Sequence, residues 1–328
     1  MSEALLTVEN LTTQFDVRSG SLFGKTVTLT AVDDVSFALM PGETLGIVGE
    51  SGSGKSTLGR SILRLVATQK GTVVWQGRDL LKLTDEEMRR ARRDMQIIFQ
   101  DPLASLDPRM TVADIIAEPL EIAEPSLSRK QRLEEVQKIM VAVGLAPEMV
   151  NRYPHEFSGG QAQRIGIARA IITKPKMIIC DEPVSALDVS IQAQILQLLN
   201  RLRHELGLAL IFISHDLSVV RLVCDRVMVL YLGRIMEAGP AKTVFANPQH
   251  PYTRALLSAV PVPDPKLARA SKRIMLIGEP PSPINPPSGC VFRTRCTYAK
   301  DICARERPML VGTDYATACH YIGRLSDD

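Results

Sequence analysis

Three observations predict an α/β fold. Short, uniformly apolar runs of strand length, Leu45-Gly46-Ile47-Val48, Met177-Ile178-Ile179-Cys180 and Leu208 to Ser214, alternate with amphipathic stretches of helix length. Polar and acidic residues stand at the carboxyl ends of these runs, where an open α/β sheet gathers its ligands. From Asp101 to about Tyr153 the pattern becomes helical and Pro-interrupted, the mark of a mainly helical insertion. The 328 residues suffice for about two domains, and the 45% apolar content is that of an ordinary globular chain. A formal charge of +3 is too small to argue for nucleic acid or an acidic lipid surface, so no nucleic-acid partner is expected. No apolar stretch approaches the roughly 20 residues that span a bilayer. Met1-Ser2-Glu3-Ala4 lacks a signal-peptide pattern, so the chain is expected to be soluble and cytoplasmic, with any membrane part supplied by another chain.

In chain order, Leu5 to Leu11 alternates like a strand, with Phe15 after it, and Val32 to Leu39 is a second strand candidate. Pro41-Gly42 turns the chain into the run Leu45 to Val48, and a helix is expected over Thr57 to Val66. Gly71 to Gly77 reads as a short strand between glycines. Thr84 to Arg93 reads as a charged helix, capped by Thr84 with Glu87 three places on. Its arginines (Arg89, Arg90, Arg92, Arg93) are most simply a solvated face. The apolar run Met95 to Phe99 ends in Gln100, before the breaker Asp101-Pro102. Within the insertion Ser128 to Val143 is helical, and Ser158-Gly159-Gly160-Gln161 opens a helix over Ala162 to Ile172. Asp181-Glu182 ends the second buried run. Ser185-Ala186-Leu187-Asp188 then leads into a helix over Ile191 to Leu206, stopped by Gly207. His215 ends the third run. Val227 to Tyr231 and Arg234 to Glu237 flank Leu232-Gly233 as a hairpin, and a short amphipathic helix runs from His250-Pro251-Tyr252-Thr253 to about Val260.

The stretch Gly49-Glu50-Ser51-Gly52-Ser53-Gly54-Lys55-Ser56, followed by Thr57, reads G-x-x-x-x-G-K-S between a strand and a helix. That is the context of a phosphate-binding loop. Glycines let the backbone curl, and its N–H groups and the helix N-terminus converge on an anion. Lys55 would place a point charge on the β- and γ-phosphates, and Ser56 would offer its hydroxyl to Mg²⁺. Asp181, at the end of a buried strand, is placed to hold Mg²⁺, and Glu182 could accept a proton from an attacking water as general base. Gln100 and His215 also end apolar runs, but each alone would be an ordinary loop residue.

Taken in this order, the phosphate loop, Gln100, Ser158-Gly159-Gly160-Gln161, Asp181-Glu182, Ser185 to Asp188 and His215 resemble the complete motif set of ABC-type ATP-binding subunits, over residues 1 to about 240. The resemblance implies a P-loop ABC ATPase core with an antiparallel β subdomain and a helical subdomain over about 101–172. It also implies a head-to-tail dimer with ATP sandwiched between two such subunits. Phe15 would stack on adenine. Lys55, Ser56, Gln100, Asp181, Glu182 and His215 would act on the ATP of their own loop, with Gln100, Glu182 and His215 in catalysis and Ser56, Gln100 and Asp181 around Mg²⁺. Ser158, Gly160 and Gln161, with Gly159, would close over the partner's ATP, and Asp188 would lie at the dimer seam. ATP binding would close the dimer and hydrolysis reopen it. Phe157 stands where the family often has Leu, a conservative change.

The tail narrows the resemblance. His250-Pro251-Tyr252-Thr253-Arg254-Ala255-Leu256-Leu257, Gly278-Glu279-Pro280-Pro281-Ser282-Pro283, and Gly289-Cys290 with Arg295-Cys296 are similar to the C-terminal extension of dipeptide, oligopeptide and nickel importer ATPases, closest to the dipeptide-importer F type. On that likeness an ATP-binding domain occupies 1–260, a Pro-rich linker 261–287, and a small four-cysteine module 288–328. The implied partners are a paralogous ATP-binding subunit, two transmembrane permease subunits and, indirectly, an extracytoplasmic solute-binding protein. The implied place is the cytoplasmic face of a bacterial inner membrane, held peripherally. The imported solute would be a peptide or a related small molecule. A soluble ABC ATPase of translation or DNA repair is the alternative, although those carry two cassettes or coiled-coil insertions. Cys290, Cys296, Cys303 and Cys319 are spaced C-x5-C-x6-C-x15-C. Four thiolates could hold an iron–sulfur cluster or Zn²⁺, or remain unligated thiols. Family members with this tail carry [4Fe-4S], so a cluster is expected there.

Overall fold

A computed structural model describes residues 3–18, 26–261 and 273–323. The chain forms two compact units, each drawn from separate stretches. The first takes Leu39–Thr44 and Asp79–Ile213, with the start of the chain; the second takes Leu6–Ala38, Leu45–Arg78 and the chain from Ser214 on.

In the first unit, Met95–Ile98, Met177–Asp181 and Ala209–Ser214 lie side by side as parallel strands, Met177 facing Met95 on one side and Ala209 on the other. Every residue of the latter two is buried, which is why both sequences are uniformly apolar until their last polar residue. Thr84 caps the helix Asp85–Ala91 through a complete capping box with Glu87. The insertion supplies three helices, Val112–Ala123, Arg129–Ala142 and Gly159–Ile171. Ser128 closes a second capping box, with Gln131, at the start of Arg129–Ala142. The helix Val189–Leu206 buries Ile195, Leu198, Leu199 and Leu202, and Gly207 ends it in a left-handed conformation.

In the second unit, Leu6–Arg18 lies between Thr26–Leu39 and Lys70–Trp75, pairing antiparallel with the latter in a register that puts Leu6 opposite Trp75. Both long strands continue beyond the apolar segments read from the sequence, because their outer halves are solvated and lose the hydrophobic alternation. The strand Thr44–Val48 runs parallel to Arg226–Tyr231, with Leu45 facing Arg226. Arg226–Tyr231 and Arg234–Pro240 form the expected antiparallel hairpin, turning at Leu232 and Gly233. Two short helices, Leu217–Val223 and Ala241–Ala246, flank this hairpin and were not foreseen.

The last described segment folds back on this unit. Ala316–Thr317 adds to the edge of Arg234–Pro240, with Glu237 opposite Thr317. The Tyr315 hydroxyl donates to Glu237 at 2.5 Å. Phe292, 1% exposed, packs edge-on against Tyr231 at 5.3 Å, and Tyr252 lies 5.3 Å away. The expected iron–sulfur or zinc centre on Cys290, Cys296, Cys303 and Cys319 is not found. Among the described residues, no group of three or more His, Cys, Asp or Glu is arranged to hold a metal ion. Burial raises the Cys290 and Cys319 thiols and pushes Cys296 up to about 11, so these three side chains pack as neutral thiols. An aromatic cluster and a short strand hold the segment instead. Of the expected linker, 262–272 lie outside the described residues, and Arg273 to Pro287 form neither helix nor strand.

Candidate functional site

The glycine loop joins the strand Thr44–Val48 to the helix Lys55–Ile62, as strand–loop–helix context requires. Lys55 is 5% exposed, and its Nζ donates to the carbonyls of Gly49 and Glu50, each at 2.9 Å. The lysine therefore closes the loop upon itself. Gly54 caps the helix at φ 100°, and a Cβ there would stand 2.2 Å from the Ala31 carbonyl oxygen, so only glycine fits. The Ser53 hydroxyl is buried and has no hydrogen-bond partner among the described residues. A loop of backbone N–H groups, a buried ammonium and an unpartnered hydroxyl fits a phosphate-bearing ligand. Ser56 and Thr57 follow on the first turn, both half-buried. Phe15 lies within the strand Leu6–Arg18 and is 37% exposed, an open aromatic face.

Glu50 is fixed at three atoms. Its N–H donates to the Tyr252 hydroxyl at 2.9 Å, and its carbonyl accepts from Lys55. Its carboxylate takes both arms of the Arg295 guanidinium, at 2.6 and 3.2 Å. Tyr252 and Arg295 belong to motifs the sequence singled out, but nothing local in it says that they meet the loop.

The second set of candidate residues is built in the first unit. Asp181 ends its strand at 1% exposure. Glu182 follows in the left-handed region at φ 47°, its N–H donating to the Ile213 carbonyl at 3.0 Å. A glutamate rarely adopts this backbone, and such positions gather at functional sites. Gln100, exposed at the end of the neighbouring strand, donates through Nε2 to the Glu182 carboxylate at 3.1 Å, so the structure brings these two predicted residues together. Ser158 caps the helix Gly159–Ile171: its hydroxyl accepts from the Gln161 N–H at 3.4 Å, while the Gln161 side chain accepts from the Ser158 N–H at 3.0 Å. Ser158 and Gly159 are exposed at this helix start, with Gly160 next to them. Asp188, exposed, is the N-cap residue of Val189–Leu206. His215, in the second unit, is exposed just after Ala209–Ser214.

Fold and motifs define a nucleotide-binding α/β protein with a phosphate loop. Residues 32–185 match the family model for the ABC transporter, and 236–303 match that for the oligopeptide/dipeptide transporter C-terminal region. The oligopeptide transport ATP-binding protein OppF of Salmonella typhimurium is 57% identical over 97% of this chain and 96% of its own. OppF of Escherichia coli is 56% identical over 95% and 94%. The structure of an ATP-binding cassette in a dimeric post-hydrolysis state, bound to ADP and phosphate, superposes with a TM-score of 0.64 at 28% identity, covering 72% of this chain and 98% of that one. The chain belongs to the ABC transporter family, among the oligopeptide transport ATP-binding proteins.

Proposed function

We propose that this protein is the ATP-hydrolysing subunit of a peptide importer, driving uptake through separate membrane permease subunits. One observation carries the transport half: the likeness to oligopeptide transport proteins covers 97% of the chain, tail included, which disfavours a soluble ABC ATPase of translation or DNA repair. The hydrolytic half is supported by the intact loop lysine and by Glu182, held by Gln100 at the end of a buried strand. In this proposal Lys55 leaves its loop carbonyls for the phosphates, and Gln100 and Glu182 orient a water, with Glu182 taking its proton. Ser56, Asp181 and Gln100 would hold Mg²⁺, which would neutralise phosphate charge. His215 would contact the reacting end of ATP and Phe15 its base. The capped helix start at Ser158 to Gln161, with Asp188, would serve a partner ATP-binding subunit's nucleotide. The proposed organisation keeps an ATP-binding domain over 1–260, with its helical part over about 101–172, followed by a linker and tail.

A groove in the first unit supports a permease contact. Its volume is about 1030 Å³, and its walls include Ile97, Phe99, Pro119, Ile122 and Ala123 beside several arginines, with Ile122 53% exposed. A groove lined by both apolar and charged side chains suits one amphipathic helix of a permease. Two permeases, a paralogous ATP-binding subunit and an external binding protein would complete an assembly at the cytoplasmic face of the inner membrane. No helix among the described residues is long and apolar enough to cross a membrane.

The test is co-expression with the permease subunits of an oligopeptide importer. A complex whose ATPase activity rises with peptide supports the proposal; a chain that hydrolyses ATP but captures no permease refutes the transport half. Ile122→Glu should abolish capture, leaving the isolated chain's ATP affinity within about twofold. Undiminished capture would remove the groove from the contact.

A further inference from the structure

The phosphate loop carries a negative charge of its own. Glu50 is the second residue of a loop whose ligand is a polyanion, and a bare carboxylate there opposes binding. Its charge is met by Arg295, 245 residues away in the tail and only 6% exposed. The guanidinium grips both carboxylate oxygens, and its central carbon lies over the Tyr231 ring at 5.9 Å from the centroid. The Tyr252 hydroxyl accepts the Glu50 N–H, so two residues of the C-terminal region settle where this loop residue lies. A second tail arginine, Arg307, pairs with Asp34 at 3.4 Å and Asp33 at 4.0 Å, away from the loop residues.

We infer that Arg295 is a positioning residue for nucleotide binding, clamping and neutralising Glu50 so that the loop is arranged for a nucleoside triphosphate. The tail is thus a working part of the ATP site, and anything that undocked Arg295 would lower nucleotide affinity. This rests on the phosphate-loop reading above. The bidentate, largely desolvated geometry makes the contact directional as well as electrostatic. Arg295 touches no reacting atom, so its effect falls on binding rather than on the chemical step.

The experiment is titration of the full-length chain with a fluorescent ATP analogue and Mg²⁺, paired with steady-state kinetics of the transporter complex. Arg295→Met should raise the dissociation constant about tenfold and KM similarly, with kcat at saturating ATP within about twofold. Arg295→Lys, which keeps the charge but not the two-armed grip, should recover only part of the loss. Arg295→Met combined with Glu50→Gln should return to within about threefold of wild type, because the bare carboxylate is gone while Tyr252 still holds the Glu50 N–H. Arg307→Met serves as control and should leave affinity within about twofold. Should Arg295→Met not fold, the folded double variant and Arg295→Lys carry the test. The inference is overturned if Arg295→Met binds like wild type, if the double variant stays as weak as the single, or if Arg307→Met weakens binding equally. A wild-type chain that binds no nucleotide overturns the phosphate-loop reading itself, a separate result.

Discussion

Replacing Gly54 with alanine should cost stability and nucleotide binding together, by amounts the loop geometry sets. At φ 100°, an L-residue stores about 1–3 kcal/mol of backbone strain. Its Cβ would stand 2.2 Å from the Ala31 oxygen, well inside the 3.4 Å at which ordinary contact begins. The colliding atom is backbone, so no side-chain rotation relieves it, and overpacking of this kind adds about 1–3 kcal/mol. The alternative is a loop shift of about 1 Å, which can cost about a hundredfold where positioning matters. Gly52 is the internal control. It too has positive φ, at 77°, but a Cβ there meets nothing within 4 Å, so Gly52→Ala bears only the backbone cost. Thermal unfolding should place Gly54→Ala lower than Gly52→Ala by roughly 2–12 °C, from about 2–4 °C per kcal/mol in a body of this size. ATP-analogue titration of Gly54→Ala should show affinity reduced by about a hundredfold. A Gly54→Ala protein that melts with Gly52→Ala and binds nucleotide like wild type would refute the steric reasoning.

Two further outcomes follow from single contacts. Ser158→Ala removes a side-chain cap from Gly159–Ile171 and should lower stability by about 1 kcal/mol in denaturant unfolding, with Ser158→Thr restoring it; equal stability of all three would deny the cap an energetic role. His250 is buried and accepts the Tyr252 N–H at Nδ1, and burial pushes its imidazole down to about 3 from 6.5. The unfolded chain therefore takes up the proton first. The stability His250 lends is complete above pH 6.5 and drains as pH falls toward 3, by about 1.4 kcal/mol per unit. Glu237, raised by burial and bonded to the His250 N–H, works in the opposite sense, so the comparison is with His250→Gln, which keeps Glu237. Unfolding between pH 6.5 and 5 should be less steep in pH for His250→Gln by about one proton; identical slopes would contradict the assignment.

The features legible in the sequence were local ones. The cap read at Thr84 with Glu87 forms, and the helix starts read at Ser128 and Ser158 close capping boxes of the same four-residue kind, with Gln131 and Gln161. The buried parallel strands announced themselves by unbroken apolar runs. Short helices such as Leu217–Val223 escaped notice because they show barely two turns of periodicity. The left-handed Glu182 could not be read, since its conformation is imposed by the hydrogen bond to Ile213 on the neighbouring strand. Arg295 was visible as part of a motif, but its partner is 245 residues away and known only from the fold. The cysteines misled for a related reason: spacing counts possible ligands but not how the fold arranges them, and among the described residues no group able to hold a metal ion forms.

The claim that this chain hydrolyses ATP with Glu182 as general base is tested most directly by Glu182→Gln, which keeps shape and an acceptor for Gln100. ATP turnover of the assembled complex should fall by about 10²–10⁴, with nucleotide affinity within about twofold of wild type. Turnover at the wild-type rate would contradict it.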